Sequence, residues 1–322
     1  MKPFESFLAP HLNDYLAYQL EQGYALEPSR SSLLMLDRYL HQAGATWSDL
    51  HPSFFLDMRS NLSLQASSIN HVLSVSKGFF RFLVRRGICE KNPFLDIPRL
   101  REELVVPYIF SPEQIDHLLR TLCKRMRRAS FMKEFALYMA MLLMARCGMR
   151  ISEPLHLLRY HYRKEEGTLY IEKTKFSKDR LIPMPKAVIQ ELENYLSVRA
   201  HLGPQDHNPY LLAGNDHDPL HCEQVRFVFH RVVREMGIPQ TKKKLGNVIF
   251  NPPTPHCLRH AFAVNTLRAV KERGQSPQHA LPVLAAYMGH CHYVSTSVYL
   301  KVADAQSHHH LYDFSIWQRG KL

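Results

Sequence analysis

Apolar residues recur at steps of three and four through most of the chain. Leu33, Leu36 and Leu40 fall on one helical face, and Ile69, Val72, Leu73, Phe79, Phe80 and Leu83 form a longer stripe of the same kind. Lys77, Arg81 and Arg85 step by four along another side of that second helix. Ser111-Pro112-Glu113-Gln114 reads as a helix start: a capping Ser, a Pro in the first turn, and a Gln three residues after the Ser. Residues 135–144 are apolar on all sides, which predicts a buried central helix, with Gly148 as its C-terminal cap. Residues 168–171 and 181–184 predict two short strands, and the polar stretch 172–180 between them predicts a hairpin tip. Helical spacing resumes over 186–200, 222–236, 256–273, 279–289 and 293–301. Pro98 and Pro107 bracket a charged stretch with the character of a linker. The expected fold class is mainly α with a small antiparallel β-sheet, in two domains.

Composition adds a partner. The chain has 322 residues, 45% hydrophobic and 22% charged, which suits a globular protein of about two domains. No apolar run is long enough to span a bilayer, and the first residues have Pro, Glu and Asp where a signal peptide needs an apolar stretch, so a cytoplasmic location with no membrane partner is expected. Lys plus Arg total 41 against 29 acidic residues, a net charge of +12. Residues 1–106 carry 11 basic and 11 acidic groups, so the whole excess lies in 107–322. A basic protein of this kind expects a polyanion, nucleic acid above all; a merely solvated basic face is the plain alternative. The six cysteines are scattered without a CxxC pair, as reduced core residues would be. His256-Cys257 with His260, and His290-Cys291-His292, lack paired zinc-ligand spacing, and His308, His309 and His310 read as surface. No metal and no cofactor is expected.

Four segments of the second half carry chemistry together: Gly148-Met-Arg150-Ile-Ser-Glu153; Lys173-Thr-Lys175-Phe-Ser-Lys178-Asp-Arg180-Leu-Ile-Pro183; His256-Cys-Leu-Arg259-His260; and Met288-Gly-His290, with Tyr299 nine residues later. Arg150 and Arg259 offer two guanidinium forks for the charge that grows on a phosphodiester under attack. Tyr299 offers a hydroxyl nucleophile, Lys175 a general acid for the leaving oxygen, and His256 and His290 hydrogen bonds to phosphate or a route for the phenolic proton. Glu153, three residues after Arg150, suits the orientation of a neighbouring basic side chain. Each has a plain structural alternative: Arg150 as a helix cap, Arg259 as an ion-pair member, Lys173 rather than Lys175 as the acid, Tyr287 or Tyr293 among the 15 tyrosines. His260 is assigned a structural role.

In this order the segments resemble the tyrosine recombinase (phage integrase) family, strongly over 135–302 and only in helical character over 1–106. The hairpin departs from the family's G-K-G-x-K-x-R-x-x-P in having Thr174 and Phe176 in place of glycines. The resemblance implies a two-domain clamp on DNA: a helical core-binding (SAM-like) domain over 1–100, a linker over 101–108 and a catalytic domain over 109–322. It implies a site-specific recombinase or integrase of a mobile element or a host system, cleaving and rejoining DNA through a 3′-phosphotyrosine without ATP or metal. The implied partners are a double-stranded recombination site, three further copies of the chain in a tetramer on two duplexes, and accessory DNA-bending or partner recombinase proteins, at the bacterial nucleoid. Lys77, Arg81, Arg85, Lys173, Lys178, Arg180, Lys242, Lys243 and Lys244 are the expected DNA contacts, the last three on a basic loop. The stretch between Arg259 and His290, longer than in compact members, is expected to form an extra loop. Residues 303–322, with Leu311, Phe314, Ile316 and Trp317, are expected to dock on a neighbouring subunit. The rival readings are a type IB topoisomerase, which shares the nucleophile, and a non-catalytic DNA-binding regulator.

Overall fold

The computed structural model describes residues 2–24, 26–172, 179–203, 205–214, 218–246, 248–290, 296–297 and 299–300. It divides into two compact units, Met1–Leu104 and Val105–Leu322.

The first unit is helical: α1 (Ala9–Glu21), α2 (Leu26–Gln42), α3 (Pro52–Asn61) and α4 (Ala66–Arg85). The stripes of α2 and α4 meet in its core, where Leu33, Leu36, Leu40, Phe79, Phe80 and Leu83 are fully buried. Phe55, Phe80 and Phe94 interlock there, with the Phe55 and Phe94 rings 4.2 Å apart between centroids. Asn70, buried on α4, closes the unit: its amide donates to the Leu100 carbonyl and its carbonyl accepts the Leu100 N–H, both at 2.8 Å. Arg81 and Arg85 face solvent, while Lys77 is half-buried and turns its ammonium toward the Leu95 carbonyl at 3.4 Å.

The second unit is built around one apolar helix. Strand β1 (Leu104–Val106) leads to α5 (Pro112–Lys124), whose capping box is formed by the Ser111 hydroxyl and the Gln114 side chain. Helix α6 (Phe131–Arg146) has every residue from Phe135 to Ala145 buried, because α5, α8 (Lys186–Leu202), α9 (Cys222–Glu235) and α10 (His256–Glu272) pack around it. Short α7 (Ser152–His156) follows. Strands β2 (Tyr162–Arg163), β3 (Thr168–Ile171) and β4 (Arg180–Pro183) form an antiparallel sheet in chain order, with Ile171 opposite Arg180 where the expected hairpin begins. The hairpin tip, residues 173–178, lies outside the described residues, as do Cys291, His292, Tyr293 and the tail 301–322, including the run of His308, His309 and His310.

Two local expectations are corrected. The basic loop holding Lys242, Lys243 and Lys244 is largely a hairpin: β5 (Lys243–Leu245) pairs antiparallel with β6 (Val248–Phe250). Its exposed lysines suit a sheet edge, where charge discourages further strand pairing. The extra loop expected between Arg259 and His290 is absent from the described residues. Instead α10 runs on to Glu272 and α11 (Pro277–Met288) begins after four residues, with Pro277 in its first turn.

Candidate functional site

Three arginines converge on the end of one helix. Helix α11 stops at Gly289, whose left-handed conformation (φ 66°) closes the turn with His290 N–H donating to the Ala285 carbonyl. Termination leaves the last carbonyls without helical partners, at the negative end of the helix dipole. Each of three successive carbonyls accepts a different guanidinium: Tyr287 from Arg180 at 2.9 Å, Met288 from Arg259 at 2.5 Å, and Gly289 from Arg150 at 2.8 Å. The other end of the Arg259 fork donates to the Gly148 carbonyl at 2.5 Å. Gly148 also has a positive φ (59°), and a Cβ there would stand 2.4 Å from the Phe262 ring. Both signature glycines are therefore turns that aim a carbonyl at an arginine.

Glu153 binds the same three arginines from the other side. Its carboxylate accepts two bonds from Arg180 at 3.1 and 2.9 Å, one from Arg150 Nη1 at 2.8 Å and one from the Arg150 N–H at 2.7 Å, and lies 3.9 Å from Arg259. Burial favours its neutral form, but the Arg180 hydrogen bond and charge outweigh this and hold its pKa below the usual carboxylate value. Three guanidiniums around one carboxylate leave a surplus of two positive charges among the described ion pairs. Arg259 is 1% exposed, and burial and the Arg150 charge bring its pKa down to about 10, so it remains protonated at neutral pH. Arg180 is also buried, with a side chain 8% exposed. In this structure it braces Glu153 and anchors β4 to α11.

The remaining groups surround the arginines. His256 and His260 sit one turn apart on α10, their rings edge to face at 4.5 Å. Tyr299 is 5% exposed, among Ala263, Val264, Leu267, Leu281, Leu284 and Met288. Its hydroxyl lies 3.0 Å from His260 Nδ1, and its ring stacks at 24° on His290 with centroids 6.1 Å apart. His290 Nδ1 in turn shares a 2.8 Å hydrogen bond with Thr296 Oγ1. All three histidines have their pKa lowered. Desolvation, with Arg259 and Arg150 next, lowers His256, which stands at the mouth of the site. The same causes push His290 down to about 4, and burial with the His256 and Arg259 neighbours pushes His260 down to about 3. The phenol of Tyr299 is raised by burial against the opposing pull of Arg259 and Arg150. A cleft of about 580 Å³ opens beside Arg150 and Glu153 and extends to Ile171 and Glu172 at the base of the hairpin.

Of the expected site residues, Arg150, Glu153, His256, Arg259, His290 and Tyr299 are brought together, and Lys173, Lys175 and Lys178 lie outside the described residues. Tyr287 is committed elsewhere: its hydroxyl donates to the Pro183 carbonyl at 3.1 Å and its ring stacks on Phe262. His260, assigned a structural role from sequence, is the residue that touches the Tyr299 hydroxyl. Its spacing of four from His256 already placed both on one helical face.

Replacing Gly289 by alanine should cost about 1–2 kcal/mol, from the left-handed backbone and from a Cβ placed 3.0–3.2 Å from the Arg180 guanidinium. Urea unfolding of the variant measures this; an unchanged midpoint would contradict the packing described.

The sequence profile of the phage integrase family matches residues 109–306. The chain belongs to that family, and it is a recombinase enzyme of the tyrosine type. Among its relatives, y4rB of Sinorhizobium fredii, an integrase/recombinase by name, is 31% identical over 197 residues, which are 60% of this chain and 61% of that relative's length. The tyrosine recombinase XerD of Chlorobaculum tepidum is 25% identical over 312 residues, 94% of this chain and 93% of that one. In fold the chain resembles XerH recombinase bound to palindromic difH DNA in a post-cleavage complex (TM-score 0.67, 17% identity, 91% of this chain and 80% of that one). It also resembles a lambda integrase tetramer bound to a Holliday junction (TM-score 0.62, 16% identity, 88% and 77%). Among the described residues no helix is long and apolar enough to cross a membrane.

Proposed function

We propose that this chain cuts and rejoins DNA at specific duplex sites through a 3′-phosphotyrosine formed on Tyr299. The observation that carries the reading is the seating of the Tyr299 hydroxyl within the field of two buried or half-buried arginines that have more positive charge than their single carboxylate balances. A phosphodiester brings one negative charge, and attack concentrates more on its non-bridging oxygens. Guanidinium forks held in advance by backbone carbonyls stabilise that charge without reorganising.

The steps balance without an external energy source. The Tyr299 oxygen bonds to phosphorus as the bond to the 5′ oxygen breaks, and the phenolic proton passes to solvent by the route that His256 and His290 offer. The 5′ oxygen departs as a hydroxyl after taking a proton, a role for Lys175 that rests on the resemblance of its hairpin to the family's. One phosphodiester replaces another, so a 5′-hydroxyl from the same or a second duplex can reverse the step and reseal the strand. His256 and His290, their pKa lowered beside the arginines, are suited to hydrogen-bonding the phosphate. The first unit, with Arg81 and Arg85 exposed, and the β5–β6 hairpin, with Lys242, Lys243 and Lys244 exposed, supply phosphate contacts. The tetramer on two duplexes is the assembly named for the lambda integrase neighbour, and it is carried over to this chain as part of the proposal, together with accessory proteins at the nucleoid.

The test uses a pool of nicked duplexes with randomised arms, incubated with the full chain in EDTA without nucleotide. The expected result is a protein–DNA adduct that survives denaturant and that enriches a subset of arm sequences. Absence of any adduct, or adducts with no sequence enrichment together with relaxation of any supercoiled plasmid, would overturn the site-specific reading.

A further inference from the structure

We propose that His260 is the seat of the nucleophile: its Nδ1 accepts the hydrogen bond of the Tyr299 hydroxyl and so fixes which way the phenolic oxygen presents its lone pairs. The inference rests on the reading of Tyr299 as the attacking residue and goes beyond it, because it gives His260 a role that the family signature residues leave unfilled.

The geometry supplies each part. Residues 256, 259 and 260 come round to one face of α10, so one helical turn delivers a histidine at the mouth of the site, a buried arginine at its floor and a second histidine against the tyrosine. The oxygen of Tyr299 meets Nδ1 at 3.0 Å, while the ring packs among apolar side chains of α10 and α11 and stacks on His290. A buried hydroxyl needs a partner, and here the partner decides the direction. When Nδ1 accepts, the phenolic hydrogen lies along the line to His260 and the oxygen's free lone pairs point elsewhere, open to an electrophile. If Nδ1 were to donate, it would occupy a lone pair and weaken the nucleophile.

The surroundings disfavour the charged ring, and the accepting state is the neutral tautomer with its proton on Nε2. His256, Arg259 and His290 all disfavour a positive charge on this ring, and burial acts in the same sense. An imidazolium, which can only donate, is therefore disfavoured at neutral pH. The cations thus act twice: they draw the phosphate in and they disfavour an imidazolium at His260, which could not accept. Tyr299 is seated by a histidine of its own chain, 39 residues away in sequence.

The experiment uses the nicked duplex enriched from the pool and follows single-turnover adduct formation, with DNA affinity and thermal unfolding measured alongside. His260→Leu fills the space and removes the acceptor. It should slow adduct formation by roughly 100-fold at unchanged affinity. His260→Asn places its side-chain oxygen where Nδ1 stood and should recover the rate to within about tenfold of the unaltered protein. If His260→Leu does not fold, His260→Ser, too short to reach the phenol, takes its place with the same expectation. A Leu or Ser variant as fast as the unaltered protein overturns the proposal. So does an Asn variant as slow as the Leu variant while equally stable, since orientation by an acceptor would then not be what His260 provides. Failure of the unaltered chain to form any adduct would instead remove the reading of Tyr299, and this proposal with it.

Discussion

The Tyr299→Phe protein is expected to bind the enriched duplex with the affinity of the unaltered chain, within about twofold, and to form no denaturant-resistant adduct. The loss should exceed roughly 10⁴-fold, because removal of a covalent nucleophile leaves no other atom to take over the bond. The substitution deletes one oxygen and keeps the ring that packs against Leu267, Leu281 and Met288. His260 loses its partner at 3.0 Å, a change of about 1 kcal/mol in stability. The fold and the arginine cluster are untouched, so binding and chemistry separate. Electrophoretic mobility shift and denaturing gels read the two quantities on one preparation. An adduct from the Phe variant would show that another side chain attacks.

The second large effect is on stability. Replacing Glu153 by alanine should destabilise the second unit by about 3–5 kcal/mol, since a carboxylate buried to 8% exposure would no longer balance Arg180, Arg150 and Arg259. The three cations would be left against backbone carbonyls alone. The pH dependence follows from the direction of its pKa. Glu153 titrates below its ordinary value in the folded state, so the pairing contributes its full stability above the unfolded pKa, near 4.5. That contribution is lost as pH falls through the folded value. Urea midpoints measured between about pH 6 and pH 3 should therefore fall more steeply for the unaltered protein than for Glu153→Gln. Parallel curves would show that Glu153 carries no linked proton, against the geometry described.

Much of this architecture is legible in the sequence because it follows from burial. The all-apolar run of α6 could only be a central helix, and the stripes of α2 and α4 name their own inner faces. The capping residues Ser111 and Gln114 mark the start of α5 through a local hydrogen-bond pattern that needs no tertiary context. The signature arginines and Tyr299 are legible for a different reason: their spacing repeats a family pattern. Arg180 and His260 were harder. A basic residue on a hairpin strand has the look of a phosphate contact, and only the fold brings Glu153 and the end of α11 against it. A histidine beside an arginine on a helix is ambiguous until Tyr299, far along the chain, is placed on it. The β5–β6 hairpin is not legible because its strands are short and β5 is exposed and rich in lysine; the Gly-Asn pair at 246–247 of the sequence is the available signal.

The central claim is that one oxygen, on Tyr299, exchanges for a sugar oxygen on phosphorus. Proteolysis of the denatured adduct, digestion of the attached DNA to a single nucleotide, and mass spectrometry of the modified peptide locate the bond directly. The account predicts a nucleoside 3′-phosphate mass on the peptide containing Tyr299, with fragment ions assigning it to that residue. A phosphoryl group found on a serine, a histidine or any other tyrosine, or a linkage to a 5′ phosphate, would contradict it.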